Sequence, residues 1–270
     1  MNISASLVLY NSNHELIIEI VDTLVSQGVD IVYLVDNTYD NSLHFYSKLK
    51  NTEYLHCPTN PGFGFSHNIA INKAILNNCK FHFVVNPDIS LGESVIFKMV
   101  DYMSNNEEIG MMMPKILNVD GSVQFLPKLL PSPLCLIKRK LYKKIPFFER
   151  FVNRYELRFV PSDQIYDTPI LSGCFTLLNL EAINNLGSYD ESFFMYFEDF
   201  DLSRRVNSLY KTIYFPIVHV VHEYDSGANK NLNLFFIFFR SAVRYFNKWG
   251  WICDSNRNKV NKKTLEQFIL

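Results

Sequence analysis

The first hundred positions fall into blocks whose hydrophobic period switches between two and about 3.6, the signatures of strand and helix. ISASLVLY (3–10) reads as a strand, and HELIIEIVDTLVSQG (14–28) carries apolar residues at helical spacing with Gly28 as its C-cap. DIVYLVDN (30–37) is a second strand ending in polar residues, SLHFYSKLKN (42–51) a helix and TEYLHCP (52–58) a short strand. FSHNIAINKAILNNC (65–79) is helical again, and KFHFVVNPD (80–88) is an apolar strand that stops at Asn-Pro-Asp. Strands alternating with helices at this rhythm predict an α/β fold around a mostly parallel central sheet. Ligands of such sheets bind beyond the carboxyl ends of the strands. Asn11, Asp36 and Asp88 all follow such ends.

Further along, GMMMPKILNVDGSV (110–123) reads as a strand and a turn, and DTPILSGCFTLLNLEAINNLG (167–187) as a strand and a helix. The segments at 188–211 and 212–226 follow, and an aromatic helical tail occupies 232–251. Composition adds that 48% of the 270 residues are hydrophobic and that 23 Phe and 15 Tyr are present. The overall charge of −1 argues against nucleic acid as a partner. That balance conceals a basic stretch from Lys128 to Arg158, with nine Lys/Arg against Glu149 and Glu156. It reads either as a solvated surface segment or as an amphipathic surface resting on anionic lipid, a peripheral membrane contact. Five scattered cysteines without a Cys-x-x-Cys pattern imply reduced thiols and a cytoplasmic setting. The first residues read as a strand rather than a signal peptide, and no apolar run has the length of a membrane span.

Four groups of residues could carry chemistry. Asp88 closes a buried strand, where a carboxylate can shape a turn or hold Mg²⁺ or Mn²⁺ together with phosphate oxygens and water. NPGFGFSHNIAI (60–71) sets Gly62 and Gly64 before a helix, which would let backbone N–H groups approach a ligand. It matches neither the dinucleotide fingerprint nor the Walker loop. FFMYFEDFDLSRRV (193–206) crowds Glu198, Asp199 and Asp201 into a first helical turn beside aromatic residues. They can cap the helix and pair Asp201 with Arg205, or one can serve as a general base beside a sugar platform. In PIVHVVHEYDS (216–226), strand alternation turns His222 to the face of Val218 and Val220 and His219 to the other.

Taken in order, LVLYNS, LVDNTYDNS, NPGFGFSHNIAI, FVVNPDIS, the 172–206 segment, VVHEYDS and SAVRYFNKWGW resemble glycosyltransferase family 2. The nearest look is to its bacterial rhamnosyltransferase-like branch. These stretches run across most of the chain, with the basic segment as the main gap. The resemblance implies a GT-A fold with a catalytic domain over 1–226 and a helical extension over 227–270. Within the catalytic domain, 1–115 would bind the nucleotide sugar, 127–165 would be a basic insertion and 166–226 the acceptor half. It implies an inverting, metal-dependent transfer of a sugar, dTDP-L-rhamnose being the first choice of donor. The acceptor would be a lipid-linked saccharide of surface-polysaccharide synthesis (O-antigen, capsule or lipopolysaccharide). A UDP-hexose or UDP-N-acetylhexosamine donor is the alternative, and a non-catalytic saccharide-binding protein a more distant one. Residue by residue, it puts Asp36 at the nucleobase, with Asn11, Asn60, Gly62, Gly64, Asn86 and Arg204 around the nucleotide. It puts Mg²⁺ or Mn²⁺ on Asp88 and His222, with Asn86 where the family's first Asp stands. Asp199 takes the place of the general base, supported by Glu198 and Asp201, and Ser172, Gly173 and Tyr196 face the acceptor.

Overall fold

In the computed structural model, residues 2–40, 42–223 and 232–268 are described. The first half is β1 (Ile3–Leu9), α1 (His14–Ser26), β2 (Ile31–Asp36), a 3₁₀ turn (His44–Lys48), β3 (Thr52–His56), α2 (Phe63–Leu76) and β4 (Phe81–Val85). The segment expected as a helix at 42–51 is thus a short 3₁₀ turn, in which Leu43 and Tyr46 are buried at the i, i+3 spacing of such a turn. α1 shows how locally these elements are determined. Asn13 accepts the Glu15 N–H at its start, and Ile17, Ile20, Val21 and Leu24 form one buried stripe.

The second half continues with β5 (Ile89–Leu91), α3 (Val95–Ser104), β6 (Ile109–Leu117), α4 (Pro133–Leu141), α5 (Glu149–Tyr155), β7 (Tyr166–Asp167) and β8 (Phe175–Asn179). It closes with α6 (Leu180–Leu186), α7 (Glu198–Val206), β9 (Lys211–His222), α8 (Leu232–Trp249) and α9 (Ser255–Glu266). The strands join one sheet in the order β3-β2-β1-β4-β8-β6-β9-β5, with β7 on β9. The first four strands of that order are parallel. Beyond them β8 runs antiparallel to β4 and β6, while β9 is again parallel to β6. The sheet is therefore parallel over the first half and mixed over the second.

Register decides what shares an edge. Leu9 pairs with Asp36, Asp36 with His56, and Leu7 with Val85, so the parallel strands finish level. β8 begins beside the end of β4, where Phe175 pairs with Val85. β9 ends beside Ile89, which pairs with His222. The polar ends of β1, β2, β4 and β9 and the start of β8 therefore lie along one edge of the sheet.

The C-terminal helices are more than an appendage. Phe193, Phe197, Ala242, Tyr245 and Phe246 form a second apolar cluster joining α8 to the approach to α7. The Asn261 side chain pairs with the Leu130 backbone in both directions, and Gln267 bonds Asp167. The expected boundary at 226/227, with the Tyr-Asp-Ser end of VVHEYDS, lies outside the described residues.

Candidate active site

The end of β4 and the end of β9 bring Asn86, Asp88 and His222 together. His222 Nε2 lies 3.3 Å from Asp88 Oδ1 and 3.5 Å from Asn86 Nδ2, and its Nδ1 lies 3.3 Å from Gln124 Oε1. Gln124 also donates to the His222 carbonyl at 3.0 Å, so one side chain orients both the ring and the strand end. Burial works against a charged imidazole here. The hydrogen bonds to Asp88 and Cys174 outweigh it and lift His222 to about 10. Strand alternation is as expected, with His222 buried and His219 exposed.

These residues fit a divalent cation. Asp88 Oδ1 is buried, and the group it faces is the His222 imidazole nitrogen at 3.3 Å, a carboxylate and an imidazole set together as two ligands of one ion would be. Among the described residues no cluster of three or more His, Cys, Asp or Glu could hold a metal. Among the described residues the ligands would be these two, with phosphate oxygens and water completing the shell, as Mg²⁺ and Mn²⁺ sites on nucleotides commonly do.

Across the same edge stands α7. Tyr196 and Phe197 both take positive φ, 68° and 67°, and this turns the chain sharply into the helix. Asp199 then points at the start of β8, where its Oδ2 accepts the Gly173 N–H at 3.4 Å and its Oδ1 the Phe200 N–H at 2.9 Å. A Cβ at Gly173 would meet Phe63 at 3.3 Å and Asp199 at 3.6 Å, so glycine there keeps the carboxylate close to the β8 backbone. The next residue, Cys174, accepts the Asn86 N–H at 2.8 Å. Two consecutive residues thus bridge the Asp199 carboxylate and the Asn86–Asp88–His222 group.

Burial lifts Asp199 to about 6, while the N–H groups of Gly173 and Phe200 and the Lys128 ammonium restrain the rise. Burial lifts Glu198 much further, and the neighbouring Asp199 adds to it. Adjacent carboxyls whose environments separate them in this way have different tasks. Asp199, partly exposed, is the one ionised near neutral pH. Glu198 is buried and its Oε2 has no hydrogen bond.

Several expected site residues are placed otherwise. Asp36 is fully buried, its oxygens taking the Tyr54 hydroxyl at 2.6 Å and the Thr38 N–H at 2.8 Å. It braces the end of β2 and presents no open carboxylate to a base, because local donors reach it first. Gly62 and Gly64 admit protein rather than ligand. A Cβ on Gly62 would lie 2.2 Å from the Phe194 carbonyl oxygen, and one on Gly64 2.9 Å from Tyr189 Cβ. The Phe63 N–H, at the start of α2, already donates to that Phe194 carbonyl at 2.8 Å.

Asp201 is buried beneath Arg205 at 2.8 Å, Lys248 at 2.8 Å and the Trp249 indole N–H at 2.8 Å, which makes it an anchor for α8. Arg204 points the other way, into a bidentate pair with Asp254 at 2.8 and 2.9 Å, with its guanidinium 4.1 Å from the Trp249 ring. Its charge is committed inside the fold.

Asn11, Asn60, Ser172 and Tyr196 lie in segments that connect the elements. Asn11 is exposed at the end of β1, and its N–H donates to Thr38. The Asn60 side chain accepts from Asn37 at 3.3 Å. Ser172 adjoins Gly173, and the Tyr196 ring meets Phe238 at 5.7 Å.

Lys128 is a residue that sequence reasoning missed. It was one cation in a basic stretch, yet it is buried, its Nζ donates to the Leu126 carbonyl, and the charges of Glu156 and Asp199 act on it. Burial, with Arg139 nearby, lowers it to about 8. A signal existed: FLPKLLP (125–131) is a lone lysine in a proline-bounded apolar run. Gln124 carried no such signal.

No family model matches the chain. It is 32% identical over 146 residues to an N-acetylglucosaminyl-diphospho-decaprenol L-rhamnosyltransferase of Mycobacterium tuberculosis, in each of two strains. The match takes in 52% of this chain and 45% of the relative, so it spans about half the length of the curated relatives. Among solved structures, GalNAc-T7 with UDP, GalNAc and Mn²⁺ superposes at a TM-score of 0.64 with 15% identity, covering 92% of this chain and 48% of that one. Staphylococcus aureus TarS gives 0.60 with 14% identity, covering 99% and 43%. The mannosyltransferase PcManGT from Pyrobaculum calidifontis, with GDP-Man and Mn²⁺, gives 0.57 with 12% identity, covering 98% and 74%. The expected GT-A architecture is the fold of this chain.

Proposed function

We propose that the chain is an inverting glycosyltransferase that moves a sugar from a nucleotide-sugar donor to a lipid-linked saccharide in surface-polysaccharide synthesis. The observation that carries the reading is Asp199, raised and partly exposed, bridged through Gly173 and Cys174 to the Asn86–Asp88–His222 group on one sheet edge. L-rhamnose from a dTDP donor is the first choice. Its support is the 32% identity to a protein named for L-rhamnose transfer to N-acetylglucosaminyl-diphospho-decaprenol. A UDP-sugar donor is the second reading, favoured by the likeness to structures holding UDP.

In this reading residues 1–115 hold the donor and the half that begins at 166 carries the catalytic carboxylate. The chain would work at the cytoplasmic surface of the membrane bearing its acceptor. Asp199 accepts the proton of an acceptor hydroxyl as that oxygen attacks the anomeric carbon. The bond to the nucleoside diphosphate breaks in the same step, so the configuration inverts and no second catalytic carboxylate is needed. Burial disfavours the charged form of Glu198 beside it, which limits the negative charge near the departing diphosphate. Ser172, Gly173 and Tyr196 border the acceptor side. Asp88 and His222 would hold a divalent ion, whose chemistry is to neutralise charge on the leaving diphosphate. His222 must give up its proton to do so.

Thermal shifts with UDP, dTDP, GDP and CDP, each with and without Mg²⁺ or Mn²⁺, test the reading directly. A pyrimidine diphosphate should stabilise the protein, more so with metal. Asp199→Ala should abolish transfer and leave that stabilisation intact. A fully active Asp199→Ala protein would remove the base assignment.

A further inference from the structure

α4 and α8 meet where Lys140 Nζ sits 4.0 Å from the Phe235 ring centroid and where Leu136 packs against the cluster that holds Ala242, Tyr245 and Phe246. α8 buries Ser241, Ala242, Tyr245 and Phe246 against the chain. Its Leu232, Phe236 and Phe239, spaced i, i+4, i+7, make a separate stripe, each more than half exposed. Leu134 and Ile137 on α4 and Phe147 just beyond it are also more than half exposed. A helix stripe of this kind normally packs against something.

The charge around it is one-sided. Residues 133–148 and 232–249 contain eight Lys/Arg and no Asp or Glu. Arg139 is held by Glu156, and Lys248 by Asp190 and Asp201. Lys138, Lys140, Lys143, Lys144, Arg240 and Arg244 have no acidic partner among the described residues. No described helix is long and apolar enough to cross a membrane. An exposed apolar stripe flanked by cations is the pattern of a helix that lies in the interface.

We propose that the α4–α8 face docks on an anionic lipid surface, with Leu232, Phe236 and Phe239 entering the headgroup boundary and Lys143, Lys144, Arg240 and Arg244 meeting lipid phosphates. The face adjoins the site. Phe238 of α8 touches Tyr196 and Phe197, the two residues that turn the chain into α7 and set Asp199. A headgroup-level saccharide would thus be presented one helix away from the carboxylate. The proposal deepens the lipid-linked acceptor reading by assigning the surface that meets the membrane.

The full chain is sedimented with vesicles of phosphatidylcholine alone and with about 30% phosphatidylglycerol, at low and high salt. Binding should require the anionic lipid and weaken with salt. Lys143→Gln with Lys144→Gln should lower partitioning about 25-fold, each near-surface cation counting for about fivefold. Phe236→Ser with Phe239→Ser should lower it more than about tenfold, through lost apolar insertion. All four positions are exposed, so nucleotide thermal shifts should stay as in the wild type. Absence of binding to anionic vesicles overturns the proposal. So does equal binding by the variants, or a dimer that Phe236→Ser with Phe239→Ser converts to monomers, which would make the face a contact between two copies. The nucleotide panel is read separately: vesicle binding without nucleotide stabilisation would sink the transferase reading and leave the surface standing.

Discussion

Replacing Gly62 by alanine separates two explanations of the NPGFG loop. Gly62 has φ 113° and ψ 172°, a region nearly closed to residues with a Cβ. That strain costs about 1–3 kcal/mol. The added Cβ would also stand 2.2 Å from the Phe194 oxygen and 2.8 Å from its carbonyl carbon. Both are backbone atoms, so the clash is relieved only by moving the segment that leads into α7. Overpacking of this kind adds about 1–3 kcal/mol. Displacing Phe194 also loosens the bond from the Phe63 N–H. A total near 4 kcal/mol should lower Tm by roughly 10 °C in a chain of this size. Gly28→Ala is the matched control, since Gly28 has φ 103° and nothing within 4 Å of the added Cβ. It should cost only the strain, about 1–2 kcal/mol. Urea and thermal unfolding of both variants, with nucleotide binding measured well below Tm, give the comparison. Equal losses for the two would refute the packing account. So would a Gly62→Ala protein of wild-type stability that no longer binds nucleotide, because the glycine would then be serving the ligand.

Two further outcomes follow from the buried charges. With metal saturating, so that His222 is already deprotonated, the kcat of transfer should rise with pH through about 6 and then level, because the base acts deprotonated and burial raises Asp199 to that value. Lys128→Met removes a cation that favours ionised Asp199, so the rise should move to higher pH, and Lys128→Arg should restore it; an unmoved profile would deny the coupling. Arg204→Met leaves buried Asp254 with only the Arg257 guanidinium at 3.9 Å and the Arg257 N–H, and should cost about 3 kcal/mol in urea unfolding, while nucleotide affinity measured on the folded protein stays unchanged. A stable Arg204→Met protein with weakened nucleotide binding would return Arg204 to the donor site.

Much of the protein is legible in its sequence, for a physical reason. Hydrophobic period is a short-range property, so the alternation of strand and helix over the first hundred residues needed no tertiary information. Nor did His222 turning inward while His219 turned out, since alternate residues of a strand face opposite ways. What tertiary structure decided is which polar group stays available. Glu198, Asp199 and Asp201 share one helical turn and, about 100° apart per residue, must point in different directions. One is sealed with its Oε2 left without a hydrogen bond, one opens beside Gly173, and one is held by Lys248 and Trp249 of a helix more than forty residues away. Asp36 was lost to a tyrosine on the next strand, and Arg204 to an aspartate 50 positions on. Gly62 and Gly64 made room for the chain itself. A residue's chemistry is written locally, but its partners are chosen by topology, and a charge that has found one inside the fold is no longer free for a substrate.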